Sequence, residues 1–439
     1  MKIGIVGSGI AGLAAANLLS RQGNQVLLFE KQNRLGMDAQ ACEIDTPYGR
    51  VHADVPSRMF NSRQWQNLTS LYQSIGVEWE AVDVTQSFLE LGAEPYLKVR
   101  SGSRLLNFLS QMKSKDSREL MLAIKAFREK GRRDLESDSL DEVSLGQYLE
   151  SSSRRPEFVK KFLYPALSST VCTCDYDALD EFPTQIILRA LDNIVEAPLM
   201  KTKFGTSDVV DRLCRVGCEI HLGTTVNRIE TNDSNVAVFV EKEGQASELV
   251  LDQLVIATQA NHVESLIPEM DPEILNCLNS IGYQDVEVAV HTDPNLMPEN
   301  VADWSTFNMI SERGFGRAMC SVWLNRFHRE WEIDFPVFQT INPFVQVDPG
   351  QLISLARLQR PVVSQESHHV WKTIEQFHRN VRTRLWFCGS YAMPGIPLLE
   401  TAVQSAMQVV ECMTGQSKND VLAGLQPQMQ TDWNSIEFE

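Results

Sequence analysis

The stretch Lys2-Ile3-Gly4-Ile5-Val6-Gly7-Ser8-Gly9-Ile10-Ala11-Gly12, continued through residues 13–30, decides the fold. Residues 2–6 are a short apolar run that predicts a strand. Three glycines spaced as Gly-x-Gly-x-x-Gly follow at once, residues 13–21 read as a helix closed by Gly23, and residues 25–30 read as a second strand ending in a carboxylate, Glu30. The three glycines serve different ends. Gly7 allows a tight turn, Gly9 lets the backbone approach a pyrophosphate, and Gly12 lets the helix lie close on the strand. Free N–H groups and the positive end of the helix dipole then hold the phosphates without a basic side chain. Glu30, 18 residues after Gly12, is placed to accept the hydroxyl hydrogens of an adenosine ribose, and it disfavours a phosphorylated ribose. A bare glycine-rich turn, or a signal peptide, would not continue into a strand with a carboxylate at its end.

At 439 residues the chain is long for one domain, and two interleaved or consecutive domains are expected. Apart from the glycine-rich start, no uncharged apolar stretch has the length of a transmembrane span. A formal charge of −17 argues against nucleic acid or an anionic membrane surface as the main partner. The segment 125–133, with five basic residues and one acidic, is the local exception and reads as a solvated helix face, with contact to an anionic head group as the alternative. Nine scattered cysteines are expected to be reduced thiols of a cytoplasmic protein. Neither the Cys172/Cys174 nor the Cys214/Cys218 spacing has a matching partner pair, and the histidines are dispersed, so no metal is expected.

Further along, Lys31, Arg34, Gly36 and Met37 lie in a loop directly after Glu30, where a cation and exposed backbone N–H groups can meet the pyrophosphate. Residues 64–75 predict a helix, and residues 88–91 and 96–99 predict a hairpin around Gly92-Ala93-Glu94-Pro95. Helical spacing then covers 105–127, a further helix opens at 144–146, and 158–167 and 183–194 continue the helical block, with an acidic, exposed 137–142 before it. Short strands return at 219–222, 225–230, 237–241 and 248–251. The continuously apolar Leu254-Val255-Ile256-Ala257-Thr258 reads as a buried parallel strand approaching a ligand. Residues 261–279 predict a helix, 286–291 a strand, and 304–308, 318–323 and 338–342 an antiparallel sheet. A last buried strand ends at Gly389, a helix covers 398–413, and the polar tail beyond Gly415 is expected to be loosely ordered.

Together the pieces resemble the flavoprotein amine oxidase superfamily, which includes monoamine oxidases, carotenoid desaturases and protoporphyrinogen oxidases. The signs are Gly7 to Gly12, Glu30, Gly36, the strand around Val226, Ala257-Thr258, and Gly389 with its helix. The resemblance implies an α/β fold: a Rossmann-type (GR2-like) FAD-binding domain into which an α+β substrate domain is inserted. The implied division is 1–85, 203–260 and 380–415 for the FAD domain, 86–202 and 261–379 for the substrate domain, and 416–439 for a tail. It further implies contacts of Val226 with the adenine and of Gly389-Ser390 and Thr401-Ala402 with the second phosphate and the flavin.

A narrower resemblance is to FAD-binding oxidoreductases often encoded beside cyclopropane fatty-acid synthases. It rests on residues 53–77, His291-Thr292-Asp293, Leu296-Met297-Pro298, Trp304 to Asn308, Leu324-Asn325-Arg326 and Thr340 to Pro343. The sequence departs from that family at Gly36-Met37, where paired glycines are usual, at Asp38 in place of a histidine, at Val55-Pro56-Ser57 in place of Thr-Gly-Phe, and around Leu398-Leu399-Glu400.

The expected activity is an FAD-dependent oxidoreductase that removes a hydride from an apolar, lipid-like small molecule. The alternatives are an oxidase of a small amine or amino acid, and a flavin-bound isomerase or non-catalytic nucleotide-binding protein. Arg58, in an apolar run, needs an anionic or carbonyl partner or else a structural salt bridge. His291 with Asp293 is a candidate base and orienter, against the plainer reading of a satisfied core histidine. Trp304, Asn308 and Tyr391 are candidate cavity liners, with packing as the plainer reading. The residues leave the oligomeric state and electron acceptor open.

Overall fold

The computed structural model describes residues 1–100, 115–137, 140, 142–151, 156–196, 198–380, 382–417 and 420–421. Most of the helical spacing expected between 105 and 114, part of the acidic 137–142 segment, and residues 422–439 of the tail lie outside the described residues.

The opening unit folds as its pattern dictates: β1 (Lys2–Val6), α1 (Ile10–Arg21) and β2 (Gln25–Phe29). These begin a five-stranded, all-parallel sheet in the order Glu219–His221, β2, β1, Gln253–Ile256, Leu385–Phe387. Helices or a second sheet cover both faces, so its strands are apolar at successive positions, and the two-residue period sorts them between two cores. Ile3, Ile5, Val26, Leu28, Val255 and Trp386 face α1 and the helix Leu399–Thr414. Val6, Leu27, Phe29, Leu254, Ile256 and Phe387 face a core shared with the antiparallel meander of Thr224–Thr231, Val236–Lys242 and Gln245–Leu251. Every residue of α1 from Ile10 to Leu19 is buried. The small Ala14-Ala15-Ala16 run lets neighbours approach that closely, and buried Asn17 is satisfied by donating to the Leu213 carbonyl (2.9 Å).

The second unit is built on a seven-stranded sheet: Leu352–Pro361, Tyr283–His291, Phe338–Ile341, Ala318–Trp323, Phe307–Ser311, Thr85–Glu90, Leu97–Arg100. The expected sheet over 304–342 is present but is not purely antiparallel, because Phe307–Ser311 runs parallel to Thr85–Glu90. That pairing joins segments about 220 residues apart and cannot be read from a local pattern. Lys115–Leu135, Leu145–Ser151, a helical run over 156–171 and Thr184–Glu196 supply the helical layer, whose Phe127, Phe158, Leu163 and Leu167 share one core with Phe88, Val288 and Val322. The basic segment 125–133 lies on the first of these helices, with Lys125 and Lys130 paired to Glu129 and Asp134 four residues on.

Other differences are local. The expected 261–279 helix is a turn at Ala260–His262 followed by Val263–Leu266 and, after a break, Pro272–Asn279. Pro268 and Pro272 explain the break, since proline ends the segment before it. A small sheet of Phe60–Asn61, Leu199–Thr202 and Trp79–Ala81 has strands too short to show a period in the sequence. All nine cysteines are free. Among the described residues no helix is long and apolar enough to cross a membrane.

Candidate functional site

The first glycine turn is open to a ligand. Gly7 sits at φ +100°, and a Cβ there would come 2.9 Å from the Ala257 carbonyl oxygen. A Cβ on Gly12 would lie 2.0 Å from the Gly7 carbonyl oxygen and 3.1 Å from Ala257 Cβ, so glycine is what lets α1 abut both strands. Gly9 is different: its φ of −61° suits any residue, and a Cβ there would meet nothing within 4 Å. Its absent side chain leaves a space, not a conformation.

That space lies at the start of α1, which has neither a side-chain cap nor an acidic residue in its first turn. The first backbone bond is from Leu13 N–H to the Gly9 carbonyl (3.0 Å), which leaves the N–H groups of Ile10, Ala11 and Gly12 directed at an incoming anion. A dinucleotide pyrophosphate fits this cradle.

Glu30 does more than the sequence suggests. Its Oε2 accepts the Ser8 N–H (3.0 Å) and the Ser8 hydroxyl, and its Oε1 accepts the Gln32 N–H (2.9 Å). The Ser8 oxygen in turn accepts the Gly36 N–H (2.7 Å). One buried carboxylate thus fixes the glycine turn and the following loop, while Oε1 keeps acceptor capacity for a ribose hydroxyl. The Glu30 carbonyl accepts the Thr224 N–H (2.9 Å), which brings Val226, two residues on, to the same end of the sheet. Ala257 and Thr258 close the other side of the turn, Thr258 N lying 3.4 Å from a Cβ on Gly7.

The loop after Glu30 seats on the turn, since a Cβ on Gly36 would lie 3.3 Å from Gly9 N. Lys31 and Arg34 are exposed, and Arg34 Nη1 makes one long bond to the Ala41 carbonyl (3.4 Å). Met37 is buried in the core beneath the loop, so its side chain faces away from solvent and only its carbonyl is used, by Arg58 Nη2 (3.2 Å). Burial raises the Asp38 carboxyl above the usual range, with the neighbouring His52 acting against that shift. His52 lies among Glu43 (2.8 Å), Asp38 (3.6 Å) and Asp54 (3.9 Å), and one donor atom each of Asp38, His52 and Asp54 falls within 4.8 Å of the others.

The second glycine turn, expected to form the flavin end, is closed on itself. A Cβ on Gly389 would meet the Tyr391 ring at 2.6 Å, and the Gly389 N–H donates to Ser405 Oγ (2.9 Å). Thr401 Oγ1 accepts the Leu398 N–H (3.1 Å) and lies 3.1 and 3.0 Å from the Ile396 and Leu398 carbonyls, so its hydroxyl is spent on the backbone just before its own helix. Ala402 is buried, and a void of about 10 Å³ beside Ser390, Tyr391 and Pro397 has room for one water. Glu400, not singled out by its sequence context, accepts the Asn67 N–H (3.1 Å), Asn67 Nδ2 (2.6 Å) and Leu68 N–H (2.9 Å), thereby capping the helix Gln66–Ser74.

His291 corrects an expectation. It is fully buried in the strand Tyr283–His291, Nε2 pairs with Thr340 Oγ1 (2.8 Å), and Nδ1 accepts the backbone N–H of Asp293 (3.1 Å). The Asp293 carboxylate instead takes the N–H groups of Asn295 and Asp348 (2.9 Å each), so the two side chains do not form a base and orienter pair. Burial lowers the imidazole pKa to about 4. It is a satisfied core histidine. Asn308 is likewise consumed, receiving Ser87 Oγ (2.7 Å) and donating to the Ser305 and Ser321 carbonyls, and Trp304 packs edge-on against Trp323 and Phe338. Among the described residues Arg58 has no carboxylate within 4.0 Å, so its salt-bridge reading fails, and its Nε is buried without a partner.

Comparison with known proteins agrees with this geometry. Residues 5–75 match the family model of an NAD(P)-binding Rossmann-like domain. A putative protoporphyrinogen oxidase from Exiguobacterium sp. 255-15 is 16% identical, with a TM-score of 0.65 over 94% of this chain and 99% of that one. A putrescine oxidase is 13% identical, with a TM-score of 0.64 over 95% and 100%. A cyclohexylamine oxidase from Brevibacterium oxydans IH-35A is 14% identical, with a TM-score of 0.59 over 97% and 98%. At these identities the likeness establishes the fold, which this chain shares along nearly its whole length with a group of oxidases.

Proposed function

We propose that the chain is an FAD-dependent oxidoreductase acting on a largely apolar small molecule. The observation that carries the reading is the uncapped start of α1 facing the space at Gly9, with Glu30 locked beside it. The likeness in fold to a protoporphyrinogen oxidase and to amine oxidases supports oxidation as the class of reaction. We extend the reading to the domain division 1–85, 203–260 and 380–415 against 86–202 and 261–379.

In this reading the N–H groups of residues 10–12 and the exposed Arg34 hold the pyrophosphate, Glu30 orients the adenosine ribose, and Val226 borders the adenine. Bound FAD would supply the acceptor for a hydride from substrate carbon. The protein's own part is to orient the substrate and keep water out. Val55 and Met59, on either side of Arg58 in the chain, belong to one apolar cluster with Ile396 and Leu398, which supports an apolar substrate.

The test is the absorption spectrum of the purified protein and of the supernatant after acid precipitation, followed by anaerobic mixing with acyl and amine compounds. Flavin bands released as FAD, and bleached by an apolar substrate, are expected. A colourless protein that cannot be reconstituted with FAD sinks the assignment; bleaching by small amines alone removes the apolar substrate.

A further inference from the structure

We propose that Asp38, His52 and Asp54 form a binding site for a divalent transition-metal cation of the zinc type, with water completing its coordination. None of these side chains has a part in the oxidoreductase reading, so the two stand or fall separately.

His52 lies in the second strand of the hairpin formed by Cys42–Thr46 and Gly49–Ala53, and Asp54 follows two residues on. Side chains alternate along a strand, which puts these two on one side. Glu43 is directly opposite His52 in the hairpin, and its Oε1 lies 2.8 Å from His52 Nδ1. Asp38 comes from the loop after Glu30, where its N–H donates to the Leu35 carbonyl (3.0 Å) and its own carbonyl accepts the Ala41 N–H (3.1 Å). Asp54 is fixed from a third direction, since its two carboxylate oxygens accept the Thr206 N–H at 3.0 and 3.1 Å. The fold thus holds all three donors in place by itself.

The imidazole is oriented by Glu43. A carboxylate acceptor keeps the proton on Nδ1 and leaves Nε2 with a lone pair. That lone pair meets Asp38 Oδ1 at 3.6 Å and Asp54 Oδ1 at 3.9 Å. Asp38 Oδ1 and His52 Nε2 are buried without a hydrogen-bond partner, and among the described residues no lysine or arginine comes within 4.0 Å of Asp38 or Asp54. Three electron-rich atoms within 4.8 Å of one another repel unless a cation lies between them. A proton on Nε2 does not meet this need, because an N–H···O bond spans only about 2.7–3.2 Å.

A metal ion does. Bonds of about 2.0–2.1 Å at tetrahedral angles put ligand atoms about 3.4 Å apart, so these donors need to close by only a few tenths of an ångström. One imidazole, two carboxylates and a water make a zinc-type donor set, and Glu43 is the carboxylate that orients a metal-binding imidazole from behind. The His52, Asp38 and Asp54 side chains are 32%, 20% and 12% exposed, which shields the donors and still lets a hydrated ion reach them.

The test uses the purified full chain, stripped with a chelator and titrated with Zn²⁺ alone by calorimetry, with FAD content read by absorbance. A single saturable site with a Kd of about 1 μM or tighter is expected. Glu43→Gln should weaken it about tenfold and His52→Gln about a hundredfold, with FAD content and the metal-free unfolding midpoint unchanged. The nine free thiols are the rival ligands, so Co²⁺ is added to the wild-type chain as a spectroscopic probe. Its visible bands should appear without a sulfur-to-metal charge-transfer band. Absence of saturable Zn²⁺ binding, a sulfur band with Co²⁺, or equal affinity in the wild-type and His52→Gln chains would each overturn the proposal. Should His52→Gln fail to fold, the wild-type Co²⁺ spectrum and Glu43→Gln decide the matter.

Discussion

The two strand, glycine turn and helix units look alike in sequence and differ in what their polar groups are free to do. At the first, Gly9 faces open space, and the leading N–H groups of α1 have no side-chain cap. At the second, the Tyr391 ring covers Gly389, the Thr401 hydroxyl is spent on the backbone before its own helix, and Glu400 is committed to another helix. A glycine turn before a helix is therefore open to a ligand only where no side chain of the protein covers the glycine. The difference lies in residues such as Thr401 and Tyr391, which can serve a ligand or the protein but not both at once.

The sharpest way to break this comparison is to fill the first turn. Gly12→Val would put a Cβ 2.0 Å from the Gly7 carbonyl oxygen, and destabilisation of about 4 kcal/mol or more is expected in denaturant unfolding. Gly9→Glu meets no atom, so the fold should stand with an unfolding midpoint close to wild type. Its carboxylate would occupy and repel the pyrophosphate position, and FAD content should fall by about a hundredfold or more, roughly 3 kcal/mol. Unchanged cofactor content in Gly9→Glu would mean that the open turn is not the nucleotide site.

Acid tests the support of the second turn. His378 accepts the Phe387 N–H (2.9 Å) in the strand that leads to Gly389, and burial lowers its pKa to about 4, as burial does for His291. The unfolded chain, with histidines near 6.5, binds more protons than the folded one between these values. Stability should be complete above pH 6.5 and fall as pH drops toward 4, by up to about 3 kcal/mol for each histidine. His378→Gln, which keeps an acceptor but does not titrate, should flatten part of that slope; an unaltered slope would show that His378 does not couple to folding.

How much of this is legible in the sequence depends on the range of the interaction. The first unit is legible because its period, its glycines and Glu30 lie within thirty residues, and the roles that the spacing gives Gly7 and Gly12 match their φ angle and contacts. The strand Ala318–Trp323 and the hairpin before residue 100 are also visible as local patterns. His291 misleads because a histidine two residues from an aspartate has the right chemistry at the wrong angle: the backbone N–H, not the carboxylate, faces the ring. Glu400 gives no local signal, since it acts on a helix more than 330 residues away, and Arg360 likewise meets its partners Thr173 and Pro397 only through the fold.

Glu400 gives a smaller test of the second unit. Its two oxygens receive three donors at the start of the helix Gln66–Ser74, and Glu400→Gln replaces one acceptor by an amide that faces an N–H group. A loss of about 1–2 kcal/mol is expected, with FAD content unchanged, because the carboxylate serves the fold and not the ligand. Loss of flavin without loss of stability would reassign it to the cofactor.

The smallest effect is the most discriminating. Tyr391 Oη is buried without a hydrogen-bond partner, and burial pushes its pKa well above the ordinary tyrosine value. An unsatisfied buried hydroxyl costs free energy, so Tyr391→Phe, which keeps the ring over Gly389, should leave stability unchanged or raise it by up to about 1 kcal/mol. The same variant should not alter FAD content if the second turn is sealed. A clear destabilisation of the loaded protein only, absent when it is stripped of flavin, would show that Oη finds its partner on the cofactor. The ring would then be a gate that opens on binding, and the contrast between the two turns would belong to the empty chain alone.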